Sequence, residues 1–219
     1  MNNTPDNSDR LSFEIRAAVG RTEFRKFRGL NQLAGVPNVE RSARLIWLAY
    51  KTGLLSSALS ADSGDVVEHA WATAGLRGAV ITRSVALVAV SHGEVIGGLS
   101  AGPSSNFIRP LAGTDRAAVL HAVLATVKIH VLAVLPEYER NGIGRALIQH
   151  TVDTYTAAGA AVVYGQVVTN TGNARFYRRC GFTVHPVGNP LLFTSYGIPL
   201  ALVAERGESL LSLKLSREP

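Results

Sequence analysis

The chain has 219 residues, 47% hydrophobic and 17% charged, a balance that excludes wholesale disorder and suits one well-buried core. Its single cysteine, Cys180, excludes an internal disulfide and a thiolate zinc cluster and fits a reducing, cytoplasmic setting. The formal net charge of +6 favours anionic partners, and a phosphorylated ligand or RNA would satisfy that bias equally.

Residues 1–10 are rich in Asn, Asp and Ser and read as a flexible polar tail, without the basic start and apolar run of a secretory signal. Residues 11–219 read as one domain. No apolar run reaches the roughly 18 residues that a membrane span requires, so no membrane partner is expected. Residues 11–17 alternate apolar and polar side chains, the period of a half-buried strand. Phe24, Phe27 and Leu30, then Leu45, Leu48 and Leu55, recur at helical spacing and predict helices near 21–33 and 39–58. A weaker helical pattern covers 64–75.

From Ser84 the period changes. Val85–Val90 and Val95–Ser100 flank Ser91-His92-Gly93-Glu94, the signature of a β-hairpin. Residues 101–115, rich in Gly, Pro, Ser and Asn, read as a loop, followed by a short helix to about Leu124. The β-branched run 126–135 ends at Pro136 as a buried strand should. A helix from Gly142 closes at Gly159, and residues 161–168 form another core strand. Strand, helix and strand in that order give a βαβ unit with parallel strands and a right-handed crossover. A helix over 173–179 and strands near 181–187 and 208–215 complete a mixed sheet.

The chemistry concentrates between the first strand of that unit and its helix. In Glu139-Arg140-Asn141-Gly142-Ile143-Gly144, unpaired helix N–H groups and the positive end of the helix dipole converge, so an anion is the expected occupant. Gly142 and Gly144 let a ligand approach the backbone, and Arg140 and Arg145 add charge. Arg145-Ala146-Leu147 follow where a dinucleotide fingerprint would place its third glycine, and the Gly-Lys-Ser/Thr of a P-loop is absent.

The stretch from Val134 to Leu147 resembles the pyrophosphate motif Gln/Arg-x-x-Gly-x-Gly/Ala of the GNAT N-acetyltransferase superfamily, with Glu139 standing where that family usually has Gln or Arg. Asn170-Thr171-Gly172-Asn173-Ala174-Arg175-Phe176-Tyr177-Arg178-Arg179-Cys180-Gly181-Phe182 resembles its second segment. The similarity is strongest over residues 84–182. It implies an α+β fold: a mixed, mostly antiparallel central sheet, splayed at a central parallel pair and flanked by helices. It also implies acetyl-CoA as co-substrate, with no metal.

By that resemblance the backbones of Leu132, Ala133 and Val134 would pair with the pantetheine arm, and the Val134 N–H would meet the thioester carbonyl. Residues Arg140, Asn141, Gly142, Ile143, Gly144 and Arg145 would hold the pyrophosphate, and Asn170 and Asn173 the arm, with Asn173 also capping its helix. Tyr177 matches the tyrosine near the CoA sulfur. His130, on the face of Val134 by period-two counting, is the candidate base, with a water chain as the alternative.

Cys180 reads as packing rather than nucleophile, and His185, Phe193 and Tyr196 as acceptor-side residues. The acceptor is a small-molecule or protein amine, and RNA and a homodimer stay open. Two other functions are carried: a non-catalytic CoA-binding module, and an RNA-associated acyltransferase suggested by Arg21, Arg25, Lys26 and Arg28.

Overall fold

The computed structural model describes residues 11–113, 115–169 and 171–215, so the expected tail 1–10, and Asn170, lie outside the described residues. In chain order the strands are β1 (Glu14–Ala17), β2 (Val85–Ser91), β3 (Glu94–Gly102), β4 (Thr126–Val134), β5 (Val162–Val168), β6 (Thr183–Val184), β7 (Leu191–Leu192), β8 (Ala201–Leu202) and β9 (Glu208–Lys214). The helices are α1 (Gly20–Leu33), α2 (Val39–Lys51), α3 (Gly64–Thr82), α4 (Ser105–Ile108), α5 (Arg116–Ala125), α6 (Ile143–Ala157) and α7 (Asn173–Arg179). No helix among the described residues is long and apolar enough to cross a membrane.

The sheet has seven strands in the order β1-β2-β3-β4-β5-β9-β6, antiparallel throughout except for β4 and β5. The β2–β3 hairpin turns through His92 (φ 49°) and Gly93 (φ 79°), the pair of left-handed residues that matches strand twist. Asp115 starts α5 by accepting the Ala117 N–H at 2.8 Å, and Gly159 (φ 76°) follows α6, where a left-handed residue favours glycine.

Val127 and Ile129 of β4 and Val163 of β5 pack against Leu147, Ile148 and Tyr155 of α6 on one face. The opposite face is covered in two parts. Phe24, Phe27 and Leu30 of α1 lie over Ala86, Val88 and Ala133, while Val67 of α3, Phe107 of α4 and Val119 of α5 lie over Val162, Tyr164 and Leu210. Between these two parts Lys128 is half-buried and His130 exposed, so the middle of the sheet is less covered on that face.

One buried cation joins the layers. Arg83, 1% exposed, donates to the carbonyls of Ala58 (2.8 Å), Leu124 (3.0 Å) and Ala158 (3.2 Å). Two of these carbonyls end α5 and α6, where helix dipoles favour positive charge. The Tyr155 hydroxyl donates back to the Arg83 carbonyl at 2.6 Å.

Several boundaries differ from expectation. Helix α2 stops at Lys51 rather than 58, because Gly53 (φ 70°) reverses the chain. Helix α3 runs on to Thr82 past Gly75, whose backbone (φ 63°, ψ −162°) divides it. The expected loop 101–115 contains α4, capped by Ser104, and a 3-10 turn over Arg109–Leu111. The β7–β8 hairpin was not anticipated, since two-residue strands carry no readable alternation. Phe193 is fully buried between Phe107 (4.4 Å between ring centroids) and Tyr164 (5.1 Å), so it is core and not an acceptor-side residue.

Candidate active site

Strands β4 and β5 pair only at Thr126↔Val162, Val127↔Val163 and Lys128↔Tyr164. Beyond Lys128, β4 runs to Val134 and β5 to Val168 without pairing to one another, while β5 stays paired with β9 along its whole length. The sheet therefore forks at its centre. The β3–β4 register fixes what β4 presents to the fork. Leu135 donates to the Ile96 carbonyl at 2.9 Å, and Gly97 faces Val134 and Gly98 faces Ala133. Hydrogen-bonded pairs alternate along an antiparallel ladder, so the main-chain groups of Ala133 turn to β3, while those of Leu132 and Val134 point into the fork. That edge of strand is an unpaired template for an extended, amide-bearing ligand.

At the open end lies the strand-to-helix corner. Arg140 (φ 64°) and Gly142 (φ 82°) are both left-handed, an alternation that turns successive N–H groups toward one point. Among the described residues the N–H groups of Arg140 through Arg145 have no internal hydrogen-bond partner. Asn141 folds back, its Nδ2 donating to the Tyr138 and Glu139 carbonyls at 3.2 Å each, and so braces the loop. Gly97 lets the corner settle on the sheet: a methyl there would meet Ile143 Cγ2 at 3.3 Å and the Ala133 carbonyl at 3.1 Å. At Gly144 a methyl would meet the Phe176 ring at 3.3 Å, tying α6 to α7. Arg140 and Arg145 are exposed at the corner. The geometry is that of an anion cradle facing the mouth of a fork.

Tyr177, on α7, packs in the cluster under α6 and contacts Phe176 and Phe182 edge-on (5.1 and 5.5 Å). Burial raises its phenol well above the usual range, so it stays protonated and keeps its O–H available as a donor. Asn173 is the first residue of α7 and is exposed, and Gly172 holds the cap position. The expected capping role of Asn173 is therefore absent. Burial likewise raises the Cys180 thiol, despite Arg145 and Arg179 nearby, which suits packing rather than nucleophilic chemistry.

His130 departs from period-two counting. Ser100 faces Val131 and Ala101 faces Ile129, which leaves His130 as the extra residue of a β-bulge. The register flips there. Ile129, Leu132 and Val134 share the α6 face, and His130 stands on the opposite one beside Lys128, not on the face of Val134. Its imidazole is exposed and lies against the Gly102 and Pro103 backbone. Desolvation first, then the Lys128 ammonium, lower its pKa to about 4, so the ring is neutral at physiological pH.

Sequence reasoning passed over the polar row beside it. Lys128 Nζ donates to Gln166 Oε1 at 2.8 Å, and Gln166 Nε2 to Glu208 Oε2 at 3.1 Å, across the base of the fork. Lysine and glutamine inside otherwise apolar strands were the available signal. His185 bonds Ser212 at 2.9 Å, and the Tyr196 carbonyl meets His121 at 2.8 Å.

Residues 54–182, more than half of the chain, match the family model described as Acetyltransferase (GNAT) family. Over 66 residues the chain is 33% identical to ribosomal protein bS18-alanine N-acetyltransferase of Escherichia coli (strain K12), a match covering 30% of this chain and 45% of that protein. The chain thus spans about half the length of the curated relatives it matches. The crystal structure of ribosomal-protein-S18-alanine N-acetyltransferase from Escherichia coli superposes with a TM-score of 0.52 at 15% identity, over 95% of this chain and 97% of that one. A Salmonella typhimurium structure with its cofactor acetyl-CoA gives 0.54 at 16% identity, over 95% and 96%. The acetyltransferase of GNAT family from Streptococcus pneumoniae gives 0.53 at 14%, over 94% and 100%. At such identities these likenesses speak to the fold.

Proposed function

The chain belongs to the acetyltransferase (GNAT) family, and on that premise we propose that it transfers an acetyl group from acetyl-CoA to a primary amine by direct attack in a ternary complex. The observation that carries this reading is the fork with its cradle: an unpaired strand edge leading to a set of unpartnered N–H groups. A ligand with an amide-bearing arm and a diphosphate fits both at once. Acetyl-CoA, when bound, supplies an acetyl thioester, so that a C–N bond to the acceptor forms as the C–S bond breaks.

The chain's own groups then have separate tasks. The N–H groups of Arg140 through Arg145 hold the diphosphate, and Leu132 and Val134 hold the arm. The Val134 N–H donates to the thioester carbonyl oxygen, where negative charge develops. Tyr177 keeps its proton because it is buried, and it supplies a hydrogen bond to the leaving sulfur, which takes its proton from water. His130 lies on the other face, neutral, and accepts a hydrogen bond from the incoming amine, passing its proton on to water. A ring of such low pKa is a relay rather than a store for the proton. Nucleophile and leaving group are thus served from opposite sides of the sheet.

The acceptor class we favour is a polypeptide amine, a reading supported by the name of the Escherichia coli relatives, which act on alanine of a ribosomal protein. Release of free thiol from acetyl-CoA across a panel of N-terminal peptides tests it against a purely CoA-binding module, which would release none above buffer. Within the same assay, Tyr177→Phe is expected to lower kcat about 100-fold, the usual weight of a positioned hydrogen-bond donor, while leaving acetyl-CoA affinity within about 2-fold. Unchanged turnover would remove Tyr177 from the mechanism.

A further inference from the structure

The charge of this protein is concentrated in one lobe. Helix α1 carries Arg21, Arg25, Lys26 and Arg28, all exposed, and α2 carries three more exposed cations. The two acidic residues of these helices are both engaged: Glu23 with Arg16 at 2.6 Å and Glu40 with Arg28 at 2.6 Å. Seven cationic against two anionic side chains leave +5 on α1 and α2, nearly all of the +6 carried by the whole chain. The fold of these helices does not need that charge. Their packing rests on Phe24, Phe27 and Leu30 of α1, buried against the sheet, and on Ile46 and Trp47 of α2, while the cations are exposed.

The same lobe borders the mouth of the fork. A groove of about 430 Å³ lies between α1 and the ends of β3 and β4, lined by Leu30, Leu33, Val95 and Leu135 together with Lys26, Gly29 and Gln32. Leu135 directly follows Val134, whose N–H faces the fork. A chain leaving the fork on the His130 face would pass this mostly apolar trough and then a bank of exposed cations in excess over their acidic neighbours. We propose that the acceptor is a polypeptide whose residues just after the reacting amine combine an apolar side chain with acidic ones, recognised by this groove and by the cationic face of α1 and α2. This rests on the reading of the fork as an amine acetylation site. The trough favours a peptide over a nucleic acid, since its mostly apolar lining takes an apolar side chain, which a sugar-phosphate backbone lacks. A freely diffusing, strongly basic peptide would be repelled by the same lobe.

Three peptides with the same first two residues separate the possibilities: one with acidic residues next, one with basic, one with alanine. Binding is read by fluorescence anisotropy and turnover by thiol release. The acid-flanked peptide is expected to bind at least about 10-fold tighter than the basic one at low salt, with the gap closing as salt is added. Arg25→Glu together with Lys26→Glu should invert that order without changing the KM for acetyl-CoA. Equal binding of the three peptides overturns the proposal. So does a charge reversal that raises only the acetyl-CoA KM, which would assign the cations to the cofactor, or one that abolishes RNA retention with peptide preference intact. Acid preference in binding with no thiol release from any peptide would instead sink the transferase reading and leave the docking surface standing.

Discussion

Replacing Gly142 with valine is expected to weaken acetyl-CoA binding by about 100-fold while the protein stays folded. Gly142 sits at φ 82° with nothing within 4 Å of where a Cβ would stand. The folding cost is therefore confined to holding a β-branched residue in the left-handed region, roughly 1–2 kcal/mol. The binding cost is larger. Left-handed geometry at this residue aims the N–H groups of the corner, and a valine that relaxes to an extended conformation points them apart. Losing two hydrogen bonds to a charged diphosphate costs at least about 3 kcal/mol, or two powers of ten in affinity. Isothermal titration with acetyl-CoA reads the affinity, and thermal melting without ligand reads the fold. A variant that binds within a few-fold of the parent would show that the corner does not grip the diphosphate.

Arg83→Met should be the most damaging substitution outside the site. The methionine matches much of the aliphatic volume but leaves the carbonyls of Ala58, Leu124 and Ala158 without their donor, in a place that is 1% exposed. Removing one side of a buried charged network, rather than both, costs about 3–5 kcal/mol. For a chain of this size that is a fall in Tm on the order of 10 °C. Burial holds the Arg83 pKa below its ordinary value, yet a guanidinium remains charged in proteins, so protonation does not complicate the comparison. A loss under about 1 kcal/mol in urea unfolding would mean that water or side-chain rearrangement replaces the clamp.

The parts of this molecule that could be read from sequence are those where local signals agree. Strand β4, the helix from Gly142 to Gly159, strand β5 and the helix over Asn173–Arg179 have clean hydrophobic periods bounded by glycine, proline or polar residues, and they fold close to where expected. The βαβ order foretold the parallel pair, and the resemblance foretold its opening. What escaped is the information carried by a partner strand. The bulge at His130 exists only because Ser100 and Ala101 are neighbours while Val131 and Ile129 are not, and no count along β4 alone can find it. The alternation that directs Leu132 and Val134, but not Ala133, into the fork is likewise set by β3. Phe193 reads from sequence as an acceptor-side residue because its hairpin is too short to show a period; tertiary packing against Phe107 and Tyr164 decides its burial.

His130 and Tyr177 illustrate the same division. Tyr177 within its motif and His130 just ahead of the other were legible, but their opposite sides of the sheet and the desolvation that shifts their proton affinities come only from the assembled fold. The cationic α1 was visible as a cluster of residues; that the three cations of α2 join it, and that a groove links it to the end of β4, depends on how two helices pack.

The most direct measurement follows the backbone amides of isotopically labelled protein by NMR as acetyl-CoA is added. The amides of Arg140 through Arg145, and of Leu132 and Val134, should show the largest shifts and become protected from hydrogen exchange, while Ala133, already bonded to β3, changes least along that strand. Saturable binding that leaves those amides unmoved and exchanging freely would contradict the assignment of the fork and its corner as the acetyl-CoA site.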